Sequence, residues 1–128
     1  MESGDGMITK VSIIVILALL ISGCMGTDSD YVIQVTANPG LHFSGSYNVI
    51  TANGQSTSRS VDGIGAGPED PVQFSVRGNI VEATFQKKED WAGKTTGLRV
   101  EILKDNKVVA TSSTQAAYGL VSVRTPAN

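Results

Sequence analysis

Few residues of this 128-residue chain could carry chemistry, and they are scattered: one cysteine, Cys24, one histidine, His42, and one tryptophan, Trp91. A lone histidine needs Asp or Glu neighbours to hold a metal ion, and none is near His42 in sequence. A surface or loop histidine after the Pro39-Gly40 turn is the expectation. Asp62, Glu69 and Asp70 belong to a glycine-rich stretch. Their oxygens suit calcium, but the spacing matches neither an EF-hand nor a nonapeptide repeat, so a solvated crossover loop is expected. The many serines lack a paired base and a Gly-x-Ser-x-Gly elbow, which nucleophilic hydrolysis would require. No catalytic residue, metal or cofactor is therefore assigned. Trp91, flanked by Lys87, Lys88, Glu89, Asp90 and Lys94, is the candidate partner contact. The competing reading makes it a lid over one end of the fold.

The elements that would position these residues have a period of two. Val72, Phe74 and Val76 alternate with Gln73, Ser75 and Arg77; Val81, Ala83 and Phe85 alternate with Glu82, Thr84 and Gln86; Leu98, Val100 and Ile102 alternate with Arg99 and Glu101. Three two-residue turns, Asn53-Gly54, Gly78-Asn79 and Asp105-Asn106, read as hairpin connections that tolerate positive φ. They would join strands near 43–52 and 55–61, 72–77 and 80–87, and 98–104 and 107–113. A first strand from Tyr31 to Thr36 and a last from Tyr118 to Val123 complete an all-β fold. The expectation is a small antiparallel, immunoglobulin-like β-sandwich of about 7–8 strands. Its core is drawn from Ile33, Val35, Tyr47, Val49, Val72, Phe74, Val76, Val81, Phe85, Leu98, Val100, Ile102, Val108, Leu120 and Val121. The polar run 55–61 reads as an edge strand. The long stretches 62–71 and 87–97 read as crossover loops.

Charge excludes some partners. The formal net charge is -2, and 17% of residues are charged, against about 25% in an average domain. No basic field is present for nucleic acid. With one cysteine no internal disulfide forms.

The N-terminus reads as an address. Lys10 supplies a positive charge, Val11 to Ile21 is apolar except for Ser12, and small Ser22 and Gly23 precede Cys24. This is the three-part plan of a secretory signal. The apolar run would span roughly 16 Å as a helix, too short for a hydrocarbon core of about 30 Å. Residues 1–23 are thus assigned as a signal peptide with a signal helix, 24–30 as a short polar tether, 31–125 as the domain and 126–128 as a tail. Glu2 and Asp5 do not suit a signal, so translation from Met7 is one expectation and a tolerated acidic extension the other.

The segment Ile21-Ser22-Gly23-Cys24 resembles the lipobox of prokaryotic lipoproteins, with Ile in place of the usual Leu. The resemblance implies that Ile21, Ser22 and Gly23 form the cleavage motif. It implies further that the Cys24 thiol takes a diacylglyceryl group and becomes the mature N-terminus. Two acyl chains anchor stably where one does not, and an unmodified exposed thiol outside the cytosol is a liability. A plain secretory signal with a coincidental cysteine is the alternative.

Residues 97–123, with Lys107-Val108-Val109 after an Asp-centred turn and Ala117-Tyr118 leading the last strand, resemble the C-terminal half of the mycobacterial MmpS family. Those are small membrane-anchored β-sandwich proteins that assist lipid and siderophore export. The resemblance implies a sandwich and an outward-facing accessory role. The chain departs from that family in having a lipobox in place of a transmembrane helix and no cysteine pair. The functional expectation is a lipid-anchored, extracytoplasmic accessory protein, held to the cell membrane through Cys24, for a membrane partner such as a transporter or for a cell-surface partner. A binding module for a small ligand, glycan or calcium is the alternative.

Overall fold

In the computed structural model, residues 26–88 and 97–126 are described. They hold no helix and eight strands: β1 (Ser29–Ala37), β2 (His42–Ile50), β3 (Ser56–Ile64), β4 (Val72–Gly78), β5 (Ile80–Lys87), β6 (Leu98–Lys104), β7 (Lys107–Thr114) and β8 (Leu120–Arg124). Two four-stranded antiparallel sheets form a small sandwich, as the alternation predicts. Sheet I has the order β4-β1-β6-β7 and sheet II the order β3-β2-β5-β8. The expected signal helix, Cys24 and Trp91 lie outside the described residues.

Alternation fills the space between the sheets. Ile33, Val35, Leu98, Val100 and Ile102 from sheet I meet Phe43, Val49, Val81, Phe85 and Val121 from sheet II, all buried. Phe43 and Phe85 pack edge to face with centroids 5.9 Å apart, the arrangement their ring quadrupoles favour. Gly63 and Gly45 make room for this pair. A Cβ on Gly63 would come 2.5 Å from Phe43 Cζ, and one on Gly45 would strike the Thr84 carbonyl and the Phe85 Cα.

Turn chemistry acts where the backbone needs it. Asp105 and Asn106 have φ of 53° and 63°, the double positive φ of a type I′ turn, and close the β6–β7 hairpin between Lys104 and Lys107. Asn53-Gly54 also joins paired strands, but through a longer loop. Ile50 pairs with Ser56, Thr51 to Gln55 lie between, and Gly54 alone turns to φ 90°. Asn38-Pro39-Gly40-Leu41 is a further turn, with Gly40 at φ 84° and the Leu41 N–H donating to the Asn38 carbonyl at 3.0 Å. Proline sets the first φ of such a turn and glycine supplies the second.

The third expected hairpin does not form. β4 pairs with β1 in sheet I, while β5 pairs with β2 and β8 in sheet II. Gly78-Asn79 is a crossover between sheets, and neither residue has positive φ. Gly78 is needed for proximity: a Cβ there would lie 2.5 Å from Val49 Cγ1. The Asn79 N–H donates to the Ile50 carbonyl at 2.8 Å, tying the crossover to β2.

The core list changes in consequence. Val108 and Leu120 are exposed. Ile102 pairs with Ala110 and Leu103 with Val108, so Val109 is an extra residue in β7. Such a bulge shifts the faces of the residues beyond it, and Val108 joins Leu103 on the outer face. Leu120 pairs with Gln86 and its neighbour Val121 with Phe85, so period two leaves only Val121 inside. Tyr47, Val72, Phe74 and Val76 are half-buried at the margin of the core. Tyr31, Ala37, Leu41, Phe43 and Val123 join the core beyond that list, together with Ala83, which the alternation puts on the inner face. The last strand starts at Leu120; before it Tyr118, exposed and at φ 51°, belongs to the turn.

Candidate functional site

The outer face of sheet II is built from the even-numbered positions of its strands. Ser60, Ser46, Thr84 and Ser122 stand opposite one another across β3, β2, β5 and β8. They form a row of hydroxyls that spans the whole sheet, and Thr84 Oγ1 and Ser122 Oγ share a hydrogen bond at 2.9 Å. The next row is a connected chain of polar groups. The Ser58 and Ser56 hydroxyls donate to Asn48 Oδ1 at 3.1 and 2.8 Å, Asn48 Nδ2 donates to Glu82 Oε1 at 3.5 Å, and Arg124 Nε lies 3.3 Å from Glu82 Oε2. Hydroxyls and carboxamides both donate and accept, and short side chains keep the surface low. The face can take up hydrogen bonds from any flat polar partner.

Sheet I has its own polar outer face. Gln73 Nε2 donates to Gln34 Oε1 at 2.8 Å, and Gln34 Nε2 to Glu101 Oε1 at 3.1 Å. Arg77 bridges to Asp30 at 3.0 Å, a pair exposed on both sides and so worth little.

A cleft of about 330 Å³ opens at one end of the sandwich, lined by Thr36, Asn38, Pro68, Arg99, Ser113 and Gln115 among others. Asn38 Oδ1 accepts from the Gly97 N–H on its wall.

The residues singled out in sequence fare differently. His42 opens β2 with an exposed side chain, on a strand and not in a loop. Asp62 lies within β3, which continues to Ile64, and its carboxylate sits 3.7 Å from Lys88 Nζ. Glu69 and Asp70 are exposed in a separate turn, where the Asp70 N–H donates to the Gly67 carbonyl. The glycine-rich loop thus does not gather its carboxylates. Among the described residues no three His, Cys, Asp or Glu side chains approach as a metal-holding group. Cys24, Ile21, Ser22, Gly23 and Trp91 are outside the described residues.

Two features went unread in sequence. Lys87, read both as the end of the strand 80–87 and as the start of the stretch 87–97, ends β5 and is fully buried, with Nζ 3.4 Å from the Gln115 carbonyl. The signal was present: Val81, Ala83, Phe85 and Lys87 are consecutive inward positions. The hydroxyl row was likewise latent in the even-numbered residues, but only the strand register aligns them. At the N-terminal side, β1 begins at Ser29, and the Asp28 carboxylate accepts from the Ala52 N–H at 2.7 Å. The folded domain therefore reaches into the stretch read as tether.

No family model matches the chain, and no curated protein matches it in sequence.

Proposed function

We propose that this chain is a lipid-anchored, extracytoplasmic β-sandwich protein, a non-catalytic accessory or interaction subunit for a membrane or cell-surface partner. The observation that carries the reading is the place of Cys24, directly after an apolar run and small Ser22 and Gly23. Two acyl chains on that thiol would hold the protein stably at a bilayer. The Asp28–Ala52 hydrogen bond supports a position close to the membrane, since only residues 25–27 separate the thiol from the first residue tied to the sandwich. Outer faces that are mostly polar, with Ile64 and Leu120 exposed among them, support a protein partner over a hydrophobic ligand. The MmpS-like pattern in residues 97–123 supports an outward-facing accessory role.

Replacing Cys24→Ser is the test. The protein should accumulate uncleaved or leave the membrane fraction, and metabolic lipid labelling should vanish. Unchanged processing and attachment would remove the anchor from the reading. For the accessory role, the tagged protein cross-linked in intact cells should recover one membrane protein reproducibly, and Trp91→Ala should reduce that recovery.

A second reading, a small-ligand or glycan module, rests on the Thr36–Gln115 cleft, whose volume lies within the range of small-molecule sites. Arg99→Ala would abolish binding of such a ligand while leaving partner recovery intact.

A further inference from the structure

The free edge of β3 is the most exposed stretch of regular backbone in the described fold. The Thr51 N–H donates to the Gln55 carbonyl and the Gly65 N–H to the Leu41 carbonyl, each at 2.8 Å. These two bonds bracket the β2–β3 ladder and fix its phase. Bonding alternates along an antiparallel pair, so Thr57, Arg59, Val61 and Gly63 bond to β2. Ser56, Ser58, Ser60, Asp62 and Ile64 aim their N–H and C=O groups away from it. No strand pairs with that side among the described residues. The run Ser56 to Ser60 is exposed on both faces. The strand is nine residues long and has no proline and no register shift against β2, two of the devices that blunt an edge; its only charges are Arg59 and Asp62.

We propose that β3 pairs antiparallel with the β3 of a second copy, about a two-fold axis through Ser60, fusing the two copies of sheet II into one continuous sheet. The strand is centred on Ser60, so this register uses its full length: Ser58 faces Asp62 of the other copy and Ser56 faces Ile64. Every outward backbone group then has a partner. The charges are compatible with this register and exclude two of its neighbours. Arg59 faces Val61 and Asp62 faces Ser58, whereas registers centred on Arg59 or Asp62 set like charges opposite each other, which destabilises a strand pair. The hydroxyl row joins its copy as well. It runs Ser122, Thr84, Ser46, Ser60 in one copy and returns through the same residues of the other. Serine opposite serine at the axis is small enough for close approach and can exchange a hydrogen bond. A foreign strand would need none of this self-complementarity.

The test is cysteine trapping in the full-length protein, in cells and in detergent, read on non-reducing gels. Directly opposed residues of a hydrogen-bonded pair have Cα atoms about 5.5 Å apart, within disulfide range. Ser60→Cys should give a covalent dimer. Ser58→Cys, displaced from its own copy by four residues or about 13 Å, should not; adding Asp62→Cys to it should restore the dimer. The native chain should show twice the protomer mass by light scattering, and Ser60→Pro should halve it. The Ser60 N–H is not used within the protomer, so strand content by circular dichroism should survive that change. A monomeric native chain, or trapping no stronger at residue 60 than at 58, would overturn the proposal; a monomer that instead binds an extended peptide along β3 would do so too.

Discussion

The two sides of the sandwich solve the same problem in opposite ways. On one side the edges are β7 of sheet I and β8 of sheet II, and they lie against each other. β8 is only five residues long, and β7 carries the Val109 bulge, which twists an edge away from further pairing. Val121 and Val123 are buried there, and the Thr125 N–H is tied to the Val81 carbonyl at 3.0 Å. On the other side β4 packs against β2, and Ser56 to Ser60 of β3 stand exposed on both faces. Hydrophobic burial closes the first side. On the second side the Tyr47 and Phe74 rings pack with centroids 5.4 Å apart, but no strand meets the outward backbone groups of β3 among the described residues. An edge with that character suits association, because its unmet groups ask for another strand and its serines offer little apolar surface for indiscriminate contact.

This contrast can be broken or sharpened by substitution. The largest effect belongs to the buried half. Phe85→Ala empties a position against Phe43 and Val121 and should cost about 3–5 kcal/mol, measured as a fall in the denaturant midpoint. A loss below about 1 kcal/mol would mean the two sides differ less than the packing implies. An intermediate effect separates neighbours on β3. Arg59→Pro deletes a donor bonded to β2 and should cost about 2 kcal/mol or more. Ser60→Pro deletes an outward donor and should cost the protomer less than about 1 kcal/mol. Equal losses would show that the assigned bonding phase is wrong. The smallest effect tests the closed side's outer surface: Leu120→Ser should stay within about 0.5 kcal/mol, although its neighbour Val121→Ser should cost several times more.

How much of this was legible follows from the range of each interaction. Asp105-Asn106 announced its hairpin because two consecutive residues at positive φ are a local demand. Gly78-Asn79 looks the same in sequence, yet its glycine serves a contact with Val49, distant along the chain. A two-residue link permits either a hairpin or a crossover, and the choice rests on whether β4 gains more from β1 than from β5. In sequence the carboxylates of residues 62–70 look like one loop, because nothing local reveals that β3 pairs with β2 as far as Ile64.

The sequence by itself determined the β class, the inward set Val81, Ala83 and Phe85, the polar character of the 55–61 edge and the hairpin at Asp105-Asn106. Each depends on a period or a dihedral preference that acts over a few residues. Only the tertiary structure decided the sheet to which β4 belongs, the exposure of Val108 and Leu120, the burial of Lys87 and the alignment of Ser60, Ser46, Thr84 and Ser122. Those depend on register between strands far apart in the chain. A shift of one residue, such as the bulge at Val109, turns a face over without changing the local pattern that the sequence displays.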